Sequence, residues 1–212
     1  MPLFRIGGKR SLALAATLTA VAAAALAPAA GAATLAADTT CSMPGVTSQP
    51  FTAWGDTASY YLAPGGGAEG QLQKWTLTGG AGTAAGNESY FVHSAADKRS
   101  LIIPAGGSAT TPAACIAVNA PNFRFFLKNS TSAQGSLKVQ INGVGTLGDV
   151  RSLWSSTLSP TSAWTLSASQ YFLVNLNALY SSTGTTPMSI TFSATGGAVQ
   201  IDDIYIDPYR RG

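Results

Sequence analysis

Charge is scarce in this chain of 212 residues: Asp, Glu, Lys and Arg together make up 10%. There is a single histidine, His93, and there are two cysteines, Cys41 and Cys115. With only two cysteines and a single histidine, a metal site built on them is not expected. His93 also has no acid–nucleophile motif nearby and no G-x-S-x-G accompanies it, so the sequence carries no hydrolase triad. After the first thirty or so residues no long stretch repeats with the 3.6-residue period of a helix, which argues against an α or α/β fold. What is abundant is Gly, Ser, Thr and Ala, set between short runs of alternating apolar residues.

The N-terminal stretch reads as a targeting segment. Arg5, Lys9 and Arg10 precede the apolar run "SLALAATLTAVAAAALA", and Ala30-Gly31-Ala32 has the small-residue form of a cleavage site. The run is also long enough for a membrane anchor, but its alanine richness and the cleavage site favour a leader. Lys9-Arg10 is not a twin arginine, and "DTTC" before Cys41 is not a lipoprotein site. The expected organisation is therefore a signal peptide over 1–32, an N-terminal arm over 33–50 and one β-sandwich over 51–212, secreted and with no membrane insertion once the leader is gone. Three of the twelve Lys and Arg residues lie in the leader, leaving nine against nine Asp and Glu. The mature surface then has no basic excess with which to attract nucleic acid. In an oxidising compartment Cys41 and Cys115 are expected to pair, closing a loop of roughly seventy residues worth about 4 kcal/mol of chain entropy. The other reading is two buried thiols.

The apolar alternation predicts an all-β sandwich of two antiparallel sheets. Trp75 and Leu77 share a face, and "SLIIPAGG" is a strand stopped by Pro104. Phe123, Phe125 and Leu127 face inward, with Arg124, Phe126 and Lys128 outward. Leu137, Val139 and Ile141 face inward, with Lys138, Gln140 and Asn142 outward. Met188, Ile190, Phe192 and Ala194 align, and "YFLVNLNALY" has room for a helical turn. In the closing strand, "AVQIDDIYIDPY", the parity switches between Val199/Ile201 and Ile204/Ile206. A β-bulge at Asp202-Asp203 would put all four in the core. It would also turn a carboxylate inward, which demands a pair, hydrogen bonds or a cation such as calcium; the alternative is an exposed aspartate pair at a bend.

At this point "PGGGAEGQLQKWTLTGGAG" (64–82) and "VQIDDIYI" (199–206) together resemble the opening and closing strands of jelly-roll, galactose-binding-like carbohydrate-binding modules. The resemblance implies a jelly-roll sandwich and a structural calcium joining the opening turn to the closing strand, with Glu69 and Asp203 as ligands. Gly67 and Ala68 stand where that family carries a polar residue and an aromatic. The layout is also similar to small exported bacterial proteins that share segments like "AWGD" (53–56), "GNE" (86–88) and "FRFF" (123–126).

No acid pair has the context of a glycosidase dyad, so catalysis is not expected. A polysaccharide or cell-wall glycan is the expected partner, with an extracellular or envelope protein as the alternative. The candidate ligand face is Arg124, Phe126 and Lys128 beside Gln140 and Asn142, if the two strands pair, together with Trp154 and Trp164. For Phe126 a place under a loop or a second sheet is weighed slightly ahead of exposure, and each tryptophan could equally belong to the core. Tyr205 is expected to face outward.

Overall fold

The computed structural model describes residues 47–70, 72–117, 122–144, 150–171 and 185–207. The chain divides into two units, Met1–Gly31 and Ala32–Gly212, and all described residues belong to the second. The expected leader, Cys41, most of the arm and most of "YFLVNLNALY" lie outside them. Among the described residues the structure is all-β, with thirteen strands and two short 3₁₀ turns, Thr52–Trp54 and Leu72–Lys74.

The strands form two antiparallel sheets. One contains β1 (Tyr61–Leu62), β3 (Gly82–Ala85), β4 (Arg99–Ile103), β7 (Asn122–Asn129), β10 (Thr165–Leu166), β11 (Gln170–Tyr171) and β13 (Val199–Ile206). The other contains β2 (Thr76–Thr78), β5 (Ser108–Thr110), β6 (Ala114–Ala117), β8 (Ser136–Val144), β9 (Val150–Leu158) and β12 (Thr185–Thr195). This is the two-sheet antiparallel sandwich that the alternation predicted, of the jelly-roll type that the resemblance implied. Its main core lies between the sheets. Phe123, Phe125, Leu137, Val139, Ile141, Met188, Ile190, Phe192 and Ala194 all pack there, as their parity requires.

The closing strand bears out the bulge. β13 pairs with β7 over Val199–Asp202 and again over Tyr205–Ile206, with the register shift between them. Asp203 takes up the extra residue at a φ of 48°, in the left-handed region. Val199, Ile201, Ile204 and Ile206 then all reach the main core. On its other edge β13 pairs with β4 over Val199–Ile201 and with β1 at Tyr205 and Ile206. The bulge thus falls where one neighbour ends and the next begins, leaving that edge open to loops.

Two expectations about the outer faces fail. β7 and β8 do not pair: β7 lies beside β13 in one sheet and β8 beside β12 and β9 in the other. Arg124, Phe126 and Lys128 therefore form no continuous surface with Lys138, Gln140 and Asn142. A loop joining two consecutive strands carries no mark in composition that separates a hairpin from a crossover between sheets. Phe126 and Tyr205 do point away from the main core, but neither meets solvent. They join Phe51, Tyr60 and Trp164 in a second apolar cluster, on the outer face of the seven-stranded sheet. The segment before β1 lies over that face: Ser48 bridges to Tyr60, and the Phe51 ring stands edge-on to Tyr60 at 5.0 Å and to Tyr205 at 5.5 Å.

Candidate functional site

Two constellations of polar side chains arise from this framework, one on the outer face of the seven-stranded sheet and one at the bulge. The first grows from "AWGD". A 3₁₀ turn over Thr52–Trp54 ends at Gly55, whose φ of 76° suits glycine and brings the chain back toward β7. Asp56 then becomes a hub. Its Oδ2 accepts from Tyr60 Oη at 2.7 Å and from Arg124 Nη1 at 2.9 Å, and its Oδ1 accepts from the Ala58 N–H at 3.1 Å. Partial burial pushes the Asp56 carboxyl up. The bonds from Tyr60 and Ala58, with the Arg124 guanidinium, outweigh this and hold it below the ordinary range. Arg124 in turn donates Nε and Nη2 to the Ser167 carbonyl at 3.1 and 3.0 Å. Tyr60 Oη also reaches Asn122 Oδ1 at 3.2 Å.

These bonds frame an open cleft of about 430 Å³ lined by Trp54, Gly55, Asp56, Thr57, Ala58, Tyr60, Asn122 and Ser169. Trp54 supplies the exposed ring. It is 36% exposed, and is steadied by edge-on contacts with Tyr90 at 5.0 Å and with buried Phe126 at 5.3 Å. Tyr171, opposite Asn122 in the β7–β11 ladder and so on the same face, is exposed as well. Tyr90 and Phe91 are also exposed, and Phe91 holds a φ of 52° that is unfavourable for an aromatic residue.

The second constellation is acidic. At the bulge the loops 63–70 and 86–98 dock on the open edge of β13. The Ala63 N–H donates to the Ile204 carbonyl at 2.8 Å, and the Ile204 N–H to the Gly66 carbonyl at 3.2 Å. Gly66 is required here, because a Cβ would stand 2.7 Å from the Ile204 carbonyl oxygen. Asp202 Oδ2 accepts the Glu88 N–H and Asp203 Oδ2 the His93 N–H, each at 3.0 Å. Glu88, itself buried, folds the next residues around its carboxylate by accepting the N–H groups of Tyr90 and Val92. His93 Nδ1 lies 2.6 Å from Asp97 Oδ2.

Desolvation pushes the Asp202 carboxyl up to about 8, reinforced by the charge of Asp203. It pushes Asp203 up to about 7, with Glu88 adding to the rise. Burial raises Glu88 too. Four carboxylates (Glu88, Asp97, Asp202 and Asp203) thus gather beside one imidazole.

The expected site residues are dispersed. Trp164 is buried, with Lys128 Nζ 4.8 Å above its ring, and Trp154 is half-buried against the main core. Phe126, fully buried, can present no face to a ligand. Arg124 is committed to Asp56 and Ser167. Gln140 donates to Asn142, which donates to Thr191, all on the six-stranded sheet. Asp203 sits at the bulge as expected. Glu69 instead spends Oε1 on the N–H groups of Lys98 and Arg99, at 2.5 Å each. Cys115 stands in β6, but its proposed partner Cys41 lies outside the described residues. Sequence reasoning missed Trp54, Asp56 and Glu88, although "AWGD" and "GNE" had been singled out as segments.

No family model matches the chain, and no curated protein sequence matches it with significance. Distant likenesses occur among solved structures. The C-terminal family 22 carbohydrate-binding module of Clostridium thermocellum Xyn10B aligns at 15% identity and a TM-score of 0.44, over 70% of this chain and 93% of that one. TmCBM61 in complex with β-1,4-galactotriose aligns at 15% and 0.46, over 72% and 99%. The enzymatically active domain of bacteriophage CBA120 tailspike protein 4 aligns at 16% and 0.47, over 69% and 21%. Likeness at this level assigns neither family nor ligand.

Proposed function

We propose that this is a secreted, non-catalytic glycan-binding sandwich whose ligand seat is the cleft beside Trp54. The observation that supports it is the pairing of an exposed indole with fixed polar groups in one open cleft. A sugar ring presents an apolar C–H face and a rim of hydroxyls. Trp54 offers a flat apolar face, while Asp56, Thr57, Asn122 and Ser169 offer acceptors and donors at the rim. The groups are held before any ligand arrives. Asp56 is fixed by three hydrogen bonds, so little ordering entropy remains to be lost on binding.

The lining contains one carboxylate, Asp56, and its Oδ2 is shared by Arg124 and Tyr60. Glycoside hydrolysis needs two acids across the bond, one of them free to hold a proton. The arrangement is therefore suited to holding a glycan rather than cutting it. Export and the Cys41–Cys115 bridge belong to the same proposal, since a glycan-binding role calls for an extracellular location and a stapled fold suits one.

The test is retention of the purified protein on a panel of soluble and insoluble polysaccharides. One glycan class is expected to bind, with Trp54→Ala weakening it at least tenfold and Trp164→Ala leaving the contact surface untouched. Failure of folded protein to bind any glycan would overturn the reading in favour of an extracellular protein partner.

A further inference from the structure

From the geometry at the bulge we propose that His93, Asp97 and Asp203 form a binding site for a first-row divalent cation of the zinc type. One ligand atom from each lies within 4.8 Å of the other two. Acidic clusters are common without ions, and the case here rests on a second observation. Asp203 is fully buried, and among the described residues its Oδ1 has no hydrogen-bond partner. A buried carboxylate oxygen left unpaired is costly, yet the backbone holds it in place. The left-handed φ of 48° orients the residue, and the His93 N–H fixes the other oxygen at 3.0 Å.

Gly67 shows where the orphaned oxygen points. A Cβ on Gly67 would stand 3.5 Å from Asp203 Oδ1 and 3.2 Å from His93 Nδ1. Both donor atoms thus face the same space, which the missing side chain leaves clear. A second cleft, of about 260 Å³ and lined by Leu62, Gly65, Gly67, Ala68, Glu69 and His93, opens beside two of these residues, Gly67 and His93. The ligands and their orientation are thus present, with a cleft on the His93 side.

The donor set selects the cation. Calcium takes six to eight oxygens. Here an imidazole nitrogen holds one place, and Glu69 has turned one oxygen to backbone N–H groups. An imidazole with two carboxylates and an open position suits zinc or a close neighbour. A dication would also offset repulsion among Glu88, Asp97, Asp202 and Asp203. Ligation through Nδ1 requires that nitrogen to carry no proton, so the hydrogen of a neutral His93 then sits on Nε2.

The chain has one histidine, which makes the test selective. Untagged, chelator-treated protein is titrated calorimetrically with zinc chloride and, separately, calcium chloride, and cobalt(II) absorption reports nitrogen ligation. The proposal expects one zinc per chain, a rise in Tm with zinc, and at least tenfold weaker binding in His93→Gln and in Asp97→Asn, both still folded by circular dichroism. His93→Gln retains the backbone N–H that holds Asp203. Absence of zinc binding by the folded wild type would overturn it. So would zinc binding unchanged in His93→Gln, which would point to the cysteines, or saturation by calcium without zinc, which would restore an all-oxygen site.

Discussion

Asp202 and Asp203 are neighbours in sequence, yet their carboxylates hold two different points of one loop: the N–H of Glu88 and the N–H of His93, each at 3.0 Å. The bulge makes this possible. In a regular strand successive side chains would point to opposite faces of the sheet, whereas here both carboxylates serve the loop that docks where β4 gives way to β1.

The raised carboxyls set the direction of the pH dependence. Both aspartates titrate higher in the fold, at about 8 and about 7, than the ordinary 3.8. The folded state therefore binds more protons between these values, and stability falls as pH rises from about 4 to about 8. Thermal unfolding across that range in metal-free buffer should show Tm declining. Asp202→Asn should flatten the decline and raise Tm at pH 8, because the amide oxygen still accepts one N–H without carrying charge.

Gly66 and Gly67 should behave differently although they are adjacent. Gly66→Ala forces a methyl against the Ile204 carbonyl and should cost about 1–3 kcal/mol, the range for overpacking a fixed site. Gly67→Ala meets the His93 ring at 3.2 Å, a side chain that can give way, so its cost should be smaller. Chemical denaturation of the two variants checks the order.

Phe126→Ala and Trp54→Ala should separate stability from binding. Phe126 is fully buried in the second cluster, and its loss should cost about 3–5 kcal/mol. Trp54 is partly exposed at the cleft, so its removal should leave the denaturation midpoint close to wild type while abolishing glycan retention. Denaturation and affinity electrophoresis on the same two proteins would show whether the losses divide in this way.

Arg124→Ala should disturb the cleft from behind. It strips Asp56 of its guanidinium and frees the Ser167 carbonyl, both partly buried. A loss of about 1–3 kcal/mol is expected from the polar groups left unpaired. Arg124→Lys should recover only part of this, because an ammonium cannot reproduce the planar fork. Comparing the unfolding midpoints of the two variants tests this.

The parts of the fold legible in sequence were those written as alternation. Met188, Ile190, Phe192 and Ala194 declared their face, and the change of parity at Asp202-Asp203 located the bulge. Alternation says which side of a sheet a residue occupies and is silent on what covers that side. Phe126 and Tyr205 were therefore placed on the right face; Tyr205 was wrongly given to solvent, while for Phe126 the reading of a place under a loop is the one that holds. Phe51 and Tyr60, which close over them, sit in a non-periodic segment with no strand pattern to announce it. Glu88 was hidden for a related reason: its partners are backbone N–H groups, which every residue but proline carries. The signal that was available was an acid two residues before a pair of aromatics, Tyr90 and Phe91, in a chain with few cations to neutralise it.

Among the described strands β13 comes last in sequence, and it has strands on both sides in its sheet, β7 on one edge and β4 and β1 on the other. A nascent chain therefore cannot assemble this sheet as it emerges. β1, β4 and β7 must wait as unpaired edges until the final segment is available. Closure depends on contacts between segments far apart in sequence, which makes folding slow and leaves the incomplete chain open to capture. Such a chain would stay threadable until β13 had been made and could insert between its neighbours.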